Sequence, residues 1–252
     1  MAGPLLSVHH LDVAVGPRVI LQDIDLAVGV GQTHVLFGPN GSGKSSLLAA
    51  LMGLPPYRVT RGEILFDGQR IDTLPTHARA QLGLGMSFQR PPALEGVTVR
   101  ALAEALGAQA RLEHEAEALD LAGFASRDIN VGFSGGEIKR WEILKLFLQR
   151  PRLCLFDEPE SGVDLEHIAA VGAAIERLLA TGRPAGERRS ALIITHTGFI
   201  LDYLQADVGH LLVNGRLIGS DEPRHLFQHI KRHGYSIPTT SAAAWQTTPE
   251  RG

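Results

Sequence analysis

The stretch Gly38-Pro39-Asn40-Gly41-Ser42-Gly43-Lys44-Ser45 fits the phosphate-loop pattern G-x-x-x-x-G-K-[ST] at every position. The apolar run 33–37 before it predicts a strand, and residues 46–52 after it predict a helix. In this order, glycines let the backbone approach phosphates and the helix N-terminus favours negative charge. Lys44 is expected to reach the terminal phosphates, and the Ser45 hydroxyl to bind Mg²⁺. The stretch therefore predicts nucleotide binding, although a glycine-rich turn with a chance lysine is an alternative for this motif by itself.

A second motif combines an apolar strand with two carboxylates. Residues 152–159, Arg-Leu-Cys-Leu-Phe-Asp-Glu-Pro, read as a buried strand that ends at a proline. In a parallel α/β sheet, ligands bind beyond the carboxyl ends of the strands, so Asp157 is expected beside the phosphate loop, close to Mg²⁺. Glu158 then stands where it can polarise an attacking water. The alternative is a buried strand followed by an ordinary acidic turn, and the phosphate loop makes that alternative weaker.

Composition restricts the classes of protein. The chain has 252 residues, a net charge of −3 and 44% hydrophobic residues, which suits one domain with subdomains. No apolar run approaches the ~18 residues of a membrane span, and the first residues do not resemble a signal peptide, so we expect a cytoplasmic protein. No helix carries a dense basic stripe, which argues against nucleic acid or an anionic membrane as a partner. The single cysteine, Cys154, excludes an internal disulfide.

A third motif lies between the first two. Phe133-Ser134-Gly135-Gly136-Glu137 opens an amphipathic helix, and taken alone it reads equally well as an N-cap with a flexible turn. The order of phosphate loop, Gln89, S-G-G-E, hydrophobic-D-E, S-G-V-D and His196 resembles the complete motif set of the ATP-binding-cassette (ABC) ATPases. This resemblance extends over residues 5–236.

The resemblance implies specific roles. Gln89 matches the Q-loop glutamine, Asp164 the D-loop, and His196 the switch histidine that contacts the γ-phosphate. Residues 134–137 match the signature, which in the family binds ATP held by a second protomer, so an ATP-dependent head-to-tail homodimer is expected. Catalysis is assigned to Glu158 and His196, and Mg²⁺ to Ser45, Gln89 and Asp157. Nucleotide contacts are assigned to Gly38, Pro39, Asn40, Gly41, Ser42, Gly43, Lys44, Ser45, Ser46, Gln89, Ser134, Gly135, Gly136, Glu137, Asp157 and Asp164.

The expected fold is α/β, a P-loop NTPase core of the ABC-ATPase type with an antiparallel β subdomain and a helical subdomain that carries the signature. We expect one domain over residues 1–238, with core and β subdomain at 5–90 and 144–236 and the helical subdomain at 91–143. Alternating strands at 8–15 and 19–28 belong to the β subdomain. The polar tail 239–252 is expected to be disordered.

Local sequence also resembles one branch of the family, the SufC-type ATPases of iron–sulfur cluster assembly. Phe133 stands in place of the usual leucine, and Glu137-Ile138-Lys139-Arg140 stands in place of the Gln-Gln-Gln-Arg pattern of transporters. Both features resemble the SufC-type branch, particularly its compact, minimal form with one scaffold partner. Val15 stands where many relatives carry an aromatic residue against adenine. The resemblance implies a soluble SufB-like scaffold as partner, bound near residues 90–97, whose conformation ATP would change. The alternative is the nucleotide-binding subunit of a membrane transporter. A chromosome-maintenance ATPase is disfavoured because the chain has no long heptad pattern.

Overall fold

The computed structural model describes residues 3–181 and 187–235. The predicted tail 239–252 lies outside the described residues. Within them, the architecture is an α/β core that carries a separate antiparallel sheet, as the sequence predicts.

The core contains a six-stranded sheet in the order β12-β11-β3-β10-β9-β6, in which β12 is antiparallel and the other pairings are parallel. Because the parallel strands point the same way, the loops that follow β3, β9 and β10 meet at one edge. The strands are β3 (Thr33–Phe37), β6 (Leu84–Ser87), β9 (Leu153–Asp157), β10 (Ser190–Ile194), β11 (Val208–Val213) and β12 (Arg216–Asp221). The four strands β3, β6, β9 and β10 are buried along their whole length.

The second sheet forms the predicted β subdomain. Its order is β2-β1-β4-β5 and all of its pairings are antiparallel. The strands are β1 (Leu6–Val15), β2 (Arg18–Val28), β4 (Tyr57–Phe66) and β5 (Gln69–Arg70). The β1–β2 hairpin turns at Gly16-Pro17, as its sequence predicts. The hairpin is tied to the core because the Gln22 amide donates to the Gly215 carbonyl, 2.8 Å away.

Helices pack against the core sheet, and α3 (Val99–Ala105) and α4 (Gln109–Glu117) belong to the region 91–133 that precedes the signature. Trp141 is fully buried in the apolar cluster between this region and the sheet. The helices are α1 (Lys44–Met52), α2 (Thr76–Leu82), α3 (Val99–Ala105), α4 (Gln109–Glu117), α5 (Gly135–Gln149), α6 (Leu165–Ala180) and α7 (Pro223–His233). None of the helices in the described part of the chain is both long and apolar enough to cross a membrane.

The region 91–143 differs in part from the helical prediction. Strands β7 (Leu94–Thr98) and β8 (Asp128–Ile129) form a small antiparallel sheet within it. Strand β7 is almost wholly exposed, so its sequence carries no alternating apolar pattern that would reveal a strand. Helix α4 ends at Glu117, and Asp120 takes a left-handed conformation just beyond it.

Candidate nucleotide site

The phosphate loop lies between β3 and α1, where the sequence places it. Gly38 has φ 153°, and a Cβ there would lie 2.1 Å from the Leu212 carbonyl oxygen. At Gly43, φ is 106° and a Cβ would meet Leu21 at 2.7 Å. Both positions therefore require glycine. No side chain in the described structure caps the first turn of α1, so its amide N–H groups remain available for an anion.

Lys44 is buried at the start of α1. Its ammonium donates to the carbonyl oxygens of Gly38 (2.8 Å) and Pro39 (3.0 Å), so the side chain folds along the loop. Burial lowers the pKa of Lys44, while the nearby carboxylates of Glu158 and Asp157 raise it. A phosphate at this position would bring the additional negative charge that a buried ammonium favours.

Ser45 and Asp157 lie together although they are far apart in sequence. The Ser45 hydroxyl donates to Asp157 Oδ1 over 2.9 Å. Burial raises the pKa of Asp157, and the charge of Glu158 raises it further, whereas the bond from Ser45 lowers it. Adjacent hydroxyl and carboxylate oxygens are hard ligands that suit Mg²⁺. The donor set therefore fits the predicted metal.

Glu158 joins the Q-loop and the switch loop. One of its carboxylate oxygens accepts a hydrogen bond from Gln89 Nε2, and the other contacts His196 Nε2. The Glu158 backbone is left-handed (φ 51°), a conformation that is strained for a residue with a side chain. Its amide N–H donates to the Ile194 carbonyl at 3.2 Å, which fixes the residue to β10. The predicted pair Glu158 and His196 is therefore brought into direct contact.

Most of these groups line one open cleft of about 1180 Å³, and the predicted residues Gly38, Ser42 and Asp157 lie outside its lining. The phosphate loop and Ser46 form one wall, and Gln89, Glu158 and His196 lie in the same cleft. The sequence did not reveal the other contributors. Their positions depend on the approach of the β1–β2 hairpin, the β11–β12 turn and the end of α7 to the loop. The predicted residues in the lining are Pro39, Asn40, Gly41, Gly43, Lys44, Ser45, Ser46, Gln89, Glu158 and His196, and the unpredicted ones are Arg18, Val19, Ile20, Asn214, Gly215 and Tyr235.

Val15 corresponds to the position at which many relatives carry an aromatic residue against adenine, but the structure does not place it at the cleft. Among the described residues, Val19 and Tyr235 line the cleft and Val15 does not. Val15 pairs with Arg18 across the hairpin, so the lining begins one strand later than the sequence comparison suggests. The N-G dipeptide at residues 214–215, a common hairpin turn signal, is the one sequence feature that marks a missed contributor.

The signature residues lie elsewhere. Ser134 caps α5: its hydroxyl accepts from the Glu137 amide, and the Glu137 carboxylate accepts from the Ser134 amide. This capping box places the glycines in the first turn of the helix. Within the described structure, neither residues 134–137 nor Asp164, the N-cap of α6, belong to the cleft lining. One chain therefore assembles the loop, Gln89, Asp157, Glu158 and His196, but not the signature and Asp164.

Two buried residues of α5 hold the Q-loop in place, and sequence reasoning assigned them no such role. Glu142 accepts from the Phe88 amide over 2.6 Å and also binds Lys145. Lys139 donates to the Gln89 carbonyl (3.2 Å) and the Glu158 carbonyl (3.0 Å). The signature helix is thus connected directly to the loops that carry Gln89 and Glu158.

Comparison with known proteins agrees with this geometry. The profile of a family described as "ABC transporter" matches residues 21–161. The chain belongs to this ABC family. Among curated relatives of this ABC ATPase, "Probable ATP-dependent transporter ycf16" of Cyanidium caldarium is 34% identical, covering 92% of this chain and 95% of that protein. "Vegetative protein 296" of Bacillus subtilis (strain 168) is 34% identical and covers 93% of each chain.

Solved structures share the fold of the ABC ATPase. A nucleotide-free ATP-binding cassette from an ABC transporter superposes with a TM-score of 0.75 at 20% identity, over 93% of this chain and 100% of that one. A bacterial Atm1-family ABC exporter with ATP bound gives a TM-score of 0.73 at 21% identity, over 97% of this chain and 42% of the exporter chain. The protein is therefore a P-loop ATPase with the ABC fold.

Proposed function

We propose that the cleft hydrolyses ATP, with Glu158 aligning the attacking water and His196 contacting the γ-phosphate. The observation that carries this assignment is the contact of one carboxylate, Glu158, with both Gln89 and His196 beside Lys44. Phosphoryl transfer depends mainly on positioning and on neutralising charge. Lys44 and the α1 amides provide positive charge at the loop, and Glu158 provides the hydrogen-bond acceptor that orients water.

Mg²⁺ fits between the loop and β9. Ser45 and Asp157 would hold it, with Gln89 as a further ligand. When bound, Mg²⁺ supplies Lewis-acid stabilisation of charge on the phosphate oxygens. Asp157 and Glu158 are adjacent in sequence and buried, and a cation beside them would reduce their mutual repulsion. The two carboxylates then have separate tasks, one at the metal and the other at the water.

A second copy of the chain completes the site. Residues 134–137 begin a helix whose first-turn amides favour anions, yet they do not line the cleft of their own chain. Ser134 and Gly135 are exposed, and Gly136 and Glu137 are half-buried. Gly135 lies near the D-loop, where a Cβ would be 3.6 Å from the Gly162 carbonyl oxygen. This arrangement supports a head-to-tail dimer in which each signature and its Asp164 face the ATP of the partner chain.

We propose that this ABC ATPase is of the SufC type and acts in the cytoplasm on a SufB-like scaffold during iron–sulfur cluster assembly. Support comes from the residues that depart from the transporter pattern. Glu137 completes the capping box, and buried Lys139 joins α5 to the Gln89 and Glu158 carbonyls. Closure of two such chains would move the attached scaffold subunits, and hydrolysis would reset them.

The partner surface is proposed beside the Q-loop. Three large apolar side chains are exposed there: Leu94 (42%), Val97 (39%) and Val131 (37%). Strand β7 carries the first two, and Val131 follows β8, which pairs with β7. The Asn130 side chain donates to the Pro92 carbonyl over 2.8 Å, so the two segments are held together. These three exposed side chains, called the apolar patch here, follow a nucleotide-linked loop in the chain, and exposed apolar side chains are suited to a protein partner.

The test is co-purification. Tagged Glu158→Gln protein, isolated from its native lysate with Mg-ATP and without detergent, should retain a stoichiometric SufB-like soluble protein identified by mass spectrometry. The matched control adds Leu94→Asp and Val97→Asp, which should release the partner while nucleotide binding persists.

The alternative function is the nucleotide-binding subunit of a membrane transporter. The names of several relatives favour it, including "Probable ATP-dependent transporter ycf16" and "Probable ABC transporter ATP-binding protein SpyM3_0208". The same apolar patch would then receive a transmembrane subunit. Recovery of a multi-span protein from the membrane fraction alone, again lost with the Leu94→Asp and Val97→Asp changes, would establish this alternative and reject the scaffold.

A further inference from the structure

Glu160 lies two residues beyond Glu158 and is only 4% exposed. It follows β9, whose last residue pairs with Ile194 at the end of the neighbouring strand β10. Its Oε1 atom accepts hydrogen bonds from the Thr195 hydroxyl and, at 3.3 Å, from the Thr197 hydroxyl. These threonines flank His196. A single carboxyl group therefore joins the loop after β9 to both sides of the switch histidine.

The two threonines extend this connection into the backbone. The Gly198 amide donates to Thr195 Oγ1 (3.0 Å), and the Phe199 amide donates to Thr197 Oγ1 (3.3 Å). Glu160 and the two hydroxyls thus organise residues 195–199 as one hydrogen-bonded turn. On the other side, the Val163 amide donates to the Glu160 carbonyl at 3.4 Å, within the segment that leads to Asp164.

Stability alone does not account for a carboxyl group at this position. Burial raises the pKa of Glu160, although its hydrogen bonds from threonine lower it. Its second oxygen, Oε2, is buried and has no hydrogen-bond partner in the described structure. Burying an incompletely bonded carboxyl is unfavourable, and apolar packing would avoid that cost. A buried carboxyl group that lowers stability beside the proposed catalytic residues is consistent with a role in function.

We propose that Glu160 is a positioning residue for ATP hydrolysis, which holds the Thr195–Thr197 loop so that His196 faces Glu158. This inference rests on the roles proposed above for His196 and Glu158. Glu160 itself does not line the cleft, so its effect passes through the two threonine hydroxyls. Misplacing a catalytic group by about 1 Å can lower a rate by about 100-fold without weakening substrate binding.

The experiment measures kcat and KM for Mg-ATP in matched pairs of full-length variants. Glu160→Ala removes the acceptor and should lower kcat by about 10-fold or more, with KM within about threefold of the parent. Glu160→Gln keeps an acceptor oxygen and should recover most of kcat. Thr195→Val should lower kcat, whereas Thr195→Ser, which keeps the hydroxyl, should not. Adding Thr195→Val and Thr197→Val to Glu160→Ala should cause little further loss.

Other results would overturn the proposal. They are a Glu160→Ala kcat within about twofold of the parent, a loss confined to KM, or losses from Glu160 and Thr195 that simply multiply. If Glu160→Ala fails to fold, the Thr195→Val and Thr195→Ser pair decides. His196→Ala and Glu158→Gln are measured in parallel. Parent-like turnover in those two would reject the proposed catalytic roles, whereas their inactivity beside a fully active Glu160→Ala would reject this inference alone.

Discussion

Acidification should destabilise this protein through a buried pair of histidines. His34 Nδ1 and His210 Nε2 lie 2.8 Å apart between β3 and β11. Burial lowers the pKa of His34 to about 4, with Asp207 opposing the shift, and burial together with His34 lowers the pKa of His210 to about 3. Burial therefore keeps both rings neutral near pH 7, and the hydrogen bonds of the pair add to this effect at His34.

Every ring nitrogen of the pair already has a partner. Gln32 Oε1 accepts from the Gly29 amide and faces His34 Nε2 at 3.2 Å, so His34 donates from Nε2. His34 Nδ1 must then accept from His210 Nε2, and His210 Nδ1 accepts from the Ser220 hydroxyl at 2.7 Å. A proton added to His34 Nδ1 would place two donors against each other, whereas the Ser220 hydroxyl could rotate and accept from a protonated His210 Nδ1. The hydrogen bonds therefore disfavour the imidazolium form of His34, and burial disfavours it in both rings.

The magnitude follows from linkage. In the unfolded chain both histidines gain protons below pH 6.5, but in the folded chain they stay neutral until the pH approaches their lowered pKa values. Their contribution to stability is complete above pH 6.5 and is lost as the pH falls toward 4. At about 1.4 kcal/mol per pH unit, each histidine loses about 2 kcal/mol by pH 5, and the pair about 4 kcal/mol. Typical domains have a total stability of about 5–15 kcal/mol.

Urea unfolding at pH 7, 6 and 5 measures the effect. The raised pKa values of Asp157 and Glu160 oppose it, so the parent is compared with His34→Gln/His210→Leu, which keeps those acids. The parent should lose about 4 kcal/mol more than the double variant between pH 7 and pH 5, and His34→Gln alone should remove about half of the difference. Replacing the exposed His77 serves as the matched control. If the free energy of unfolding changes equally with pH in the parent and in the double variant, the buried histidines do not cause the acid destabilisation.

Three further changes test the site and its support. Lys44→Ala should weaken ATP binding by about 10-fold or more, because a buried ammonium lies along the phosphate loop; unchanged titration calorimetry would contradict that role. Arg79→Leu should lower the free energy of unfolding by about 3 kcal/mol, since the buried guanidinium bonds the carbonyls of Ala50 and Leu51 at the end of α1. Denaturant midpoints equal to the parent's would refute it. Tyr235→Ala should weaken nucleotide binding about fivefold and Tyr235→Phe should not, because the aromatic ring lines the cleft and can stack on the base of the nucleotide. Equal affinities for the two variants would contradict this stacking role.

The sequence predicted best what depends on local pattern. Helix α1 ends at Met52, as predicted, and begins at Lys44, two residues before the predicted start at residue 46. The loop glycines and the apolar helix face encode these limits locally. The contact of Glu158 with His196 was foreseeable because both follow parallel strands, whose carboxyl ends meet at one edge of the sheet.

The sequence did not reveal features that depend on long-range packing. Glu160 meets Thr195 across 35 positions, and no spacing rule connects them. Tyr235 reaches the cleft only because α7 packs against the core. Exposed β7 lacks the apolar alternation that would identify a strand, and partners in the small sheet are distant in sequence. These contacts become visible only once the tertiary fold is known.

The measurement that tests the account most directly is the mass of Glu158→Gln in solution with Mg-ATP, determined by light scattering after size exclusion. We predict a dimer of about twice the 27.1 kDa chain mass with ATP and a monomer with ADP. Ser134→Arg on the same background should prevent dimerisation while ATP still binds. A Glu158→Gln protein that binds ATP yet stays monomeric, or that hydrolyses ATP at the parent rate, would contradict the composite site.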